Sequence, residues 1–289
     1  MNRLQIKIGI GFGLLLVFWL GVIVNFPGES LSRMVEAQAK IAAPQLVLKL
    51  QPASLGLLSI NLDTVIVHLR QGDSTVKVVE LKEVSIPLSW RLFSGLPLQA
   101  MIGAEGEVDL FIGWGGQRVE VEASAIRLED IPAWEAMVGA KIKGGLDLIG
   151  AFNIPKIVPN KPPQPLMGEL TGSLAGVEIE NLKVMGASIP NAKIDSVDLK
   201  ILGGKTIELT KFVFKGDIQG EIKGSLTPQM ARIESSRLDL ELNAAFRETW
   251  LNGLGALKPI ADSFLKNGRI TGHIAGTLNQ PKWVNQTRG

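Results

Sequence analysis

The alternation that decides the fold is clearest in the stretch Leu238-Asp239-Leu240-Glu241-Leu242-Asn243. Apolar and polar residues alternate strictly there, and a period of two places them on opposite faces of a β-strand. Residues 64–70, 118–122 and 218–223 repeat the pattern. Such alternation is typical of antiparallel sheets with one solvated and one covered face. The sequence therefore predicts a mainly β fold: a curved, largely antiparallel sheet with a few covering helices.

Three segments have helical spacing instead. The first starts at Ser30, a suitable N-cap, and stops before Pro44. The second begins near Asp130 as N-cap and presents Trp134, Met137 and Val138 on one side, and the third runs over residues 247–266 and is kinked or divided at Pro259. We expect the second and third to cover one end of the sheet.

A repeat divides the chain into two related halves. Each copy follows a helix, a glycine turn and an alternating strand, and the copies read Gly150-Ala151-Phe152-Asn153-Ile154-Pro155-Lys156 and Gly276-Thr277-Leu278-Asn279-Gln280-Pro281-Lys282. Between the halves, residues 154–165 contain five prolines, which is typical of a stiff extended connector. The predicted units are an N-terminal stub and anchor (1–28), a first β-rich half (29–153), the connector (154–165) and a second β-rich half (166–289).

The N-terminal region has the composition of a membrane anchor. Residues 8–24 contain no charge and no strongly polar side chain, and as a helix they cover roughly 25 Å of hydrocarbon. A cleaved signal peptide is the competing interpretation, but the run is long for one and no Ala-x-Ala-like site follows it. Arg3 and Lys7 precede the run and Glu29 follows it, so the positive-inside rule predicts a cytoplasmic N-terminus and a periplasmic body. We therefore expect a single-pass protein of a bacterial inner membrane.

Gly9 and Gly13 form a small-xxx-small pair within this predicted anchor. Such pairs let two membrane helices approach closely, although glycine is also simply tolerated there. They are the only site residues that the sequence suggests, as a possible helix-packing contact.

Composition excludes several classes of function. The chain has no cysteine, so it has no disulfide, thiolate nucleophile or cysteine-ligated metal. Its 30 basic and 28 acidic residues nearly cancel and form no basic cluster, which argues against a nucleic-acid partner. The mean hydropathy of +0.22 is high for a soluble domain and indicates contact with something other than water.

No motif predicts catalysis, a cofactor or a metal. His68 and His273 lie in strand patterns without a metal-ligand spacing, and we interpret both as solvated strand residues. The glycine-rich residues 113–116 lack the following helix of a phosphate-binding loop and predict a hairpin turn. Two acidic pairs, Glu105 with Glu107 and Glu178 with Glu180, have the spacing of residues on one strand face, but any solvated strand shows it too. We therefore expect no enzyme.

Two functions remain from the residues alone. The first is a structural or adaptor role in which strand edges or faces bind protein partners of an envelope machine. The second is lipid binding, if the apolar face of the sheet shelters acyl chains rather than forming a packed core.

The chain resembles a known family in two segments besides its anchor and strands: Leu50-Gln51-Pro52-Ala53-Ser54-Leu55-Gly56-Leu57 and Gly276-Thr277-Leu278-Asn279-Gln280-Pro281-Lys282-Trp283. Together they resemble the type II secretion system protein N family, in the branch found in deltaproteobacteria-like organisms. The second segment also looks like the repeated strand ends of AsmA-like envelope proteins, whose β-rich grooves are linked to lipid movement. The resemblance implies a non-catalytic inner-membrane component of type II protein secretion, with secretion-system subunits as partners. An AsmA-like lipid-binding or lipid-transport protein, with phospholipid as partner, is the alternative.

Overall fold

The computed structural model describes residues 25–42, 46–71, 74–115, 117–154, 165–184, 187–229 and 235–285. The predicted anchor, with Gly9 and Gly13, lies outside the described residues, as does most of the proline-rich connector. No helix in the described ranges is long and apolar enough to cross a membrane.

Strands make up most of the described chain. Their bounds are β1 Leu46–Leu50, β2 Ser54–Leu55, β3 Ser59–Gln71, β4 Ser74–Pro87, β5 Gly95–Ile102, β6 Gly106–Gly113, β7 Arg118–Arg127, β8 Lys141–Asn153, β9 Met167–Glu180, β10 Lys183–Val184, β11 Ala187–Ser188, β12 Ala192–Gly203, β13 Ile207–Gly216, β14 Ile218–Thr227, β15 Arg237–Phe246, β16 Arg269–Thr277 and β17 Gln280–Asn285.

Four short α-helices accompany them: α1 Gly28–Ala42, α2 Ala133–Val138, α3 Glu248–Gly253 and α4 Lys258–Phe264. Three 3-10 turns complete the described elements: Trp90–Phe93, Leu128–Asp130 and Gly255–Leu257.

Fifteen strands form one antiparallel sheet in the order β1-β3-β4-β5-β6-β7-β8-β9-β12-β13-β14-β15-β16-β17, with β2 pairing β3. Beyond β3, each strand pairs with the next strand of the sheet along the chain, so the topology is a meander. β10 and β11 form a separate hairpin between β9 and β12. The predicted mainly β, antiparallel fold is confirmed.

The sheet continues across the position of the predicted connector. β8 and β9 pair from Lys141↔Glu180 to Asn153↔Met167, so residues 154–165 join two neighbouring strands. Two separate clusters of buried apolar side chains nevertheless lie on either side of this point, one around Ile126 and one around Phe214. The division into two related halves stays a prediction.

Connections in a meander alternate between the two ends of the sheet. One end carries α2, the β10–β11 hairpin, α3 and α4, and we call it the helix end. The opposite end carries the connections at residues 56–58, 88–94, 114–117, 154–166, 204–206, 228–236 and 278–279, and we call it the loop end. In the described part of the chain, the covering helices α2, α3 and α4 lie together at the helix end, as the sequence predicts.

The helices differ from the sequence predictions in detail. Helix α1 begins at Gly28, so Ser30 lies inside its first turn instead of capping it. Asp130 is the last residue of a 3-10 turn, and α2 starts after Pro132 without a side-chain cap, so the predicted N-cap is wrong. The predicted helix over 247–266 is divided by the 3-10 turn Gly255–Leu257, and Pro259 stands in the first turn of α4, where its missing N–H costs nothing.

Candidate functional site

The apolar face of the sheet is continuous from β5 to β17. A single row of directly paired residues crosses it, and every member is apolar or glycine: Leu98, Leu110, Val121, Gly150, Leu170, Ile201, Leu209, Gly224, Leu240, Ile274 and Trp283. Residues paired across antiparallel strands share a face, so all of these side chains point to one side. We call the side of this row the apolar face and the other side the polar face.

The apolar face is closed at the helix end. Ile102, Ala123 and Ile126 are buried there beneath the segment that carries α2, with Ile131 packed against them. In the second half, Val197, Phe214 and Ala244 are buried in the same way.

Helix α3 closes the helix end of the second half. Trp250 stacks on Phe246 with ring centroids 5.5 Å apart, and Leu254 just beyond the helix is buried. Gly253 lies against Pro190, in the connection between β9 and β12, so the helix crosses the ends of the strands between. The helices therefore act as a cap over one end of the apolar face.

Towards the loop end the apolar face has less cover. Leu98, Val121, Leu170 and Ile201 are only half-buried, although each has strands on both sides. The sole other sheet in the described residues is the small β10–β11 hairpin, so no second sheet supplies a packed layer over this face. Apolar side chains in a close-packed core are normally almost inaccessible.

Both faces of the sheet are partly accessible, because no second large sheet in the described residues packs against either of them. Large accessible apolar areas in native proteins mark sites that bind proteins, membranes or ligands.

The polar face is covered by cross-strand ion pairs. Lys143 contacts Glu180 at 2.7 Å, Lys193 contacts Glu178 at 2.7 Å, and Lys200 contacts Glu169 at 2.8 Å. Hydrogen bonding from Lys193 lowers the pKa of Glu178, and hydrogen bonding from Lys200 does the same for Glu169. These carboxylates therefore keep their charge to lower pH than usual, and this face stays hydrated.

A shallow depression of about 590 Å³ lies on the polar face, across β5 to β9. Asp109, Glu122 and Glu169 lie on its wall, and the Arg91 guanidinium borders it, 4.7 Å from the Phe111 ring centre and 3.1 Å from Glu120. No group of histidine and acidic side chains in the described ranges has the geometry of a metal site. The depression therefore presents charged groups of both signs on the polar face.

The two histidines do not come together. His273, on β16, contacts Asp239 of β15 at 2.5 Å. His68, on β3, pairs with Lys77 across the strand, and its Nδ1 atom is buried without a hydrogen-bond partner. Both histidines are half-buried strand residues, so neither ring is as fully solvated as predicted.

The acidic pairs do not form a dyad. Glu105 lies in the turn before β6, so it does not share a strand with Glu107. Glu178 and Glu180 do share a strand, and each bonds a different lysine. Gly113 ends β6, and Trp114 and Gly115 form a turn after it, in line with the predicted hairpin.

Sequence reasoning overlooked the loop end. Leu57, Leu58, Trp90, Phe93 and Trp114 are highly exposed there. A signal was present, because apolar residues stand beside glycine, proline or serine between strand patterns in residues 56–59, 87–95 and 113–116, where turns normally carry polar residues.

No family model, curated protein or solved structure matches this chain.

Proposed function

We propose that this protein is a non-enzymatic, membrane-anchored protein of the bacterial envelope whose apolar sheet face binds the acyl chains of phospholipids. The observation that carries the proposal is the unbroken apolar row from Leu98 to Trp283, on a single-layer sheet whose side chains stay partly accessible. Acyl chains are long, flexible and apolar, so they match a face that offers no specific polar contact.

The cap at the helix end supports this function. It buries the apolar face around Ile126 and Phe214, while the face remains accessible towards the loop end. A sheet face that is closed at one end and accessible at the other admits an acyl chain from the accessible end. The polar head group of the lipid then stays outside. The hydrated polar face gives the sheet a second surface that needs no apolar cover.

The proposal is tested by photo-crosslinking in cells that express the full chain. A benzophenone amino acid replaces Val121 on the apolar face, and in the matched control it replaces the adjacent Glu122 on the polar face. Leu240 and Glu241 form the same pair in the second half. We expect lipid adducts, identified by mass spectrometry, at Val121 and Leu240 but not at the two glutamate positions. Absence of lipid adducts at both apolar positions would overturn the proposal.

A component of type II protein secretion is the second candidate, and the β17 edge of the sheet favours it. Helix α1 covers the β1 edge, where Glu36 Oε1 accepts a hydrogen bond from the Leu50 amide at 2.7 Å. β17 ends the sheet at the opposite edge, and no further described strand follows it. Edge strands accept strands of partner proteins. If this candidate is right, the same crosslinker at Lys282 of β17 should give adducts to another protein. Lys223, in the interior of the sheet, is the control position.

A further inference from the structure

Large apolar side chains are concentrated on the tips of three neighbouring connections at the loop end. Phe93 is 89% exposed, Trp90 78%, Leu58 71%, Leu57 68% and Trp114 60%. We call these five residues the tip patch. Soluble proteins seldom place so many large apolar side chains in adjacent turns, and a cluster of this kind marks an interaction surface.

Hydrogen bonds hold the three connections together. The Leu88 amide donates to the Leu58 carbonyl oxygen at 2.7 Å, which joins the first connection to the second. The Trp114 amide donates to the Ser94 carbonyl oxygen at 3.1 Å, and the Trp114 indole donates to the Leu92 carbonyl oxygen at 2.7 Å. The tip patch is therefore a preorganised surface with fixed backbone geometry.

The chain enters the fold at this same end. Helix α1 starts at the loop end, where the Ala53 amide donates to the Gly28 carbonyl oxygen at 3.4 Å. A Cβ on Gly28 would come within 1.6 Å of the Ala53 carbonyl oxygen, so only glycine allows this close contact. Ala53 stands four residues before Leu57. The start of α1 is thus fixed beside the tip patch.

A short tether separates this point from the predicted anchor. The uncharged apolar run ends at Val24, and the four residues from there to Gly28 span at most roughly 14 Å when fully extended. A bilayer that holds the apolar run therefore lies close to the loop end, not to the helix end. Tryptophan is enriched where proteins meet the interfacial region of a bilayer.

From these observations we infer that the tip patch inserts into the surface of the bilayer that holds the anchor. The sheet then stands on the membrane with its loop end down and its capped helix end away from the lipid. The accessible part of the apolar face adjoins the bilayer in this orientation. The inference rests on the membrane anchor of the proposed function but not on acyl-chain binding by the sheet.

The absence of native cysteine allows a direct test with single-cysteine variants. Phe93→Cys in the tip patch and Phe264→Cys at the helix end each carry a nitrobenzoxadiazole fluorophore, in the full chain reconstituted in phosphatidylethanolamine–phosphatidylglycerol vesicles. Phe264 is the matched control because it is also an exposed phenylalanine, 49% accessible, at the opposite end. The readout is quenching by phospholipids spin-labelled on the acyl chain.

We expect a blue-shifted emission and at least threefold stronger quenching at position 93 than at position 264. Equal, weak quenching at both positions would overturn the inference. A blue shift at position 93 without lipid quenching would also overturn it, because the fluorophore would then be buried against protein. Trp90→Cys provides a second tip position if Phe93→Cys fails to retain the β-type circular dichroism spectrum. Lipid adducts at Val121 are measured separately, so failure of one proposal is distinguishable from failure of the other.

Discussion

At the scale of single residues, burial is very uneven along this chain. Ile126 is 1% exposed, whereas Ile149 on the next strand is 58% exposed. The two isoleucines lie on opposite faces of the same sheet, because Ile126 pairs with Leu146 of the apolar face and Ile149 pairs with Glu122 of the polar face. The free energy of unfolding therefore depends on few side chains, and two clusters of them lie beneath the cap.

Ile126→Ala tests this dependence. We expect it to lower the free energy of unfolding by about 2–5 kcal/mol, because it removes apolar contacts and leaves a cavity in the cluster around α2. Urea unfolding, followed by circular dichroism, measures the change. The matched control Ile149→Ala should stay within about 0.5 kcal/mol of the parent. Equal losses for both variants would contradict the assignment of the two faces.

At the scale of elements, α1 is attached through one buried hydroxyl. Ser32 is 5% exposed, and its Oγ donates to the Gln51 carbonyl oxygen at 2.8 Å and accepts from the Ala53 amide at 3.2 Å. Glu36 makes the second link, to the Leu50 amide. The helix thereby shields the β1 edge, which would otherwise offer backbone groups to another strand.

Ser32→Ala tests the attachment of α1. We expect a loss of about 1–3 kcal/mol in the free energy of docking, because the partly buried Gln51 carbonyl loses the Ser32 hydroxyl and the Ala53 amide keeps only its longer bond to the Gly28 carbonyl oxygen. Hydrogen exchange of the α1 and β1 amides, measured by mass spectrometry, should become faster. Ser30→Ala is the control, since Ser30 is exposed on the same helix and has the same change in helix propensity. Unchanged exchange in Ser32→Ala would rule out this mode of attachment.

At the scale of the whole molecule, a single-layer sheet with an accessible apolar face is less stable alone than with a bound occupant. A ligand that binds the folded state only raises the free energy of unfolding, by about 2.7 kcal/mol at a concentration a hundredfold above Kd. The half-buried side chains of the apolar face make such a dependence on the occupant a direct consequence of the proposed function.

Thermal unfolding of lipid-stripped full-length protein in mild detergent should show this dependence. We expect Tm to rise progressively when diacyl phospholipid is added, because acyl chains cover the apolar face. Glycerophosphocholine, which has the head group without acyl chains, is the control and should leave Tm unchanged. A rise with both compounds would indicate head-group binding, and no rise with either would contradict acyl-chain binding.

The strands, their antiparallel arrangement and the approximate places of the helices could all be predicted from the amino-acid sequence. These features depend on local periodicity: residues 238–243 alternate strictly and form the core of β15, and 30–42 have helical spacing and belong to α1. The local pattern is enough to predict these elements, because side chains repeat direction every two residues in a strand and every 3.6 residues in a helix.

The positions where the alternation changes from one face of the sheet to the other could not be predicted, because they depend on the register between strands. In β7 the register shifts between Ala123 and Ile126, and Ala125 has a φ of 53°. One extra residue forms a β-bulge, which moves Ile126 from the polar to the apolar face. Glu83, with a φ of 49°, has the same effect on Val84 of β4. Strict alternation would place both buried residues on the wrong side.

The tertiary structure alone also decided which connections meet. Leu58, Phe93 and Trp114 are far apart in the sequence, and each stands in a different connection. Their assembly into one surface depends on the meander, which returns alternate connections to the same end of the sheet. The sequence pattern predicts which side chains of a strand lie on each of its two faces. The order and register of the strands decide which of those side chains become neighbours and form one surface.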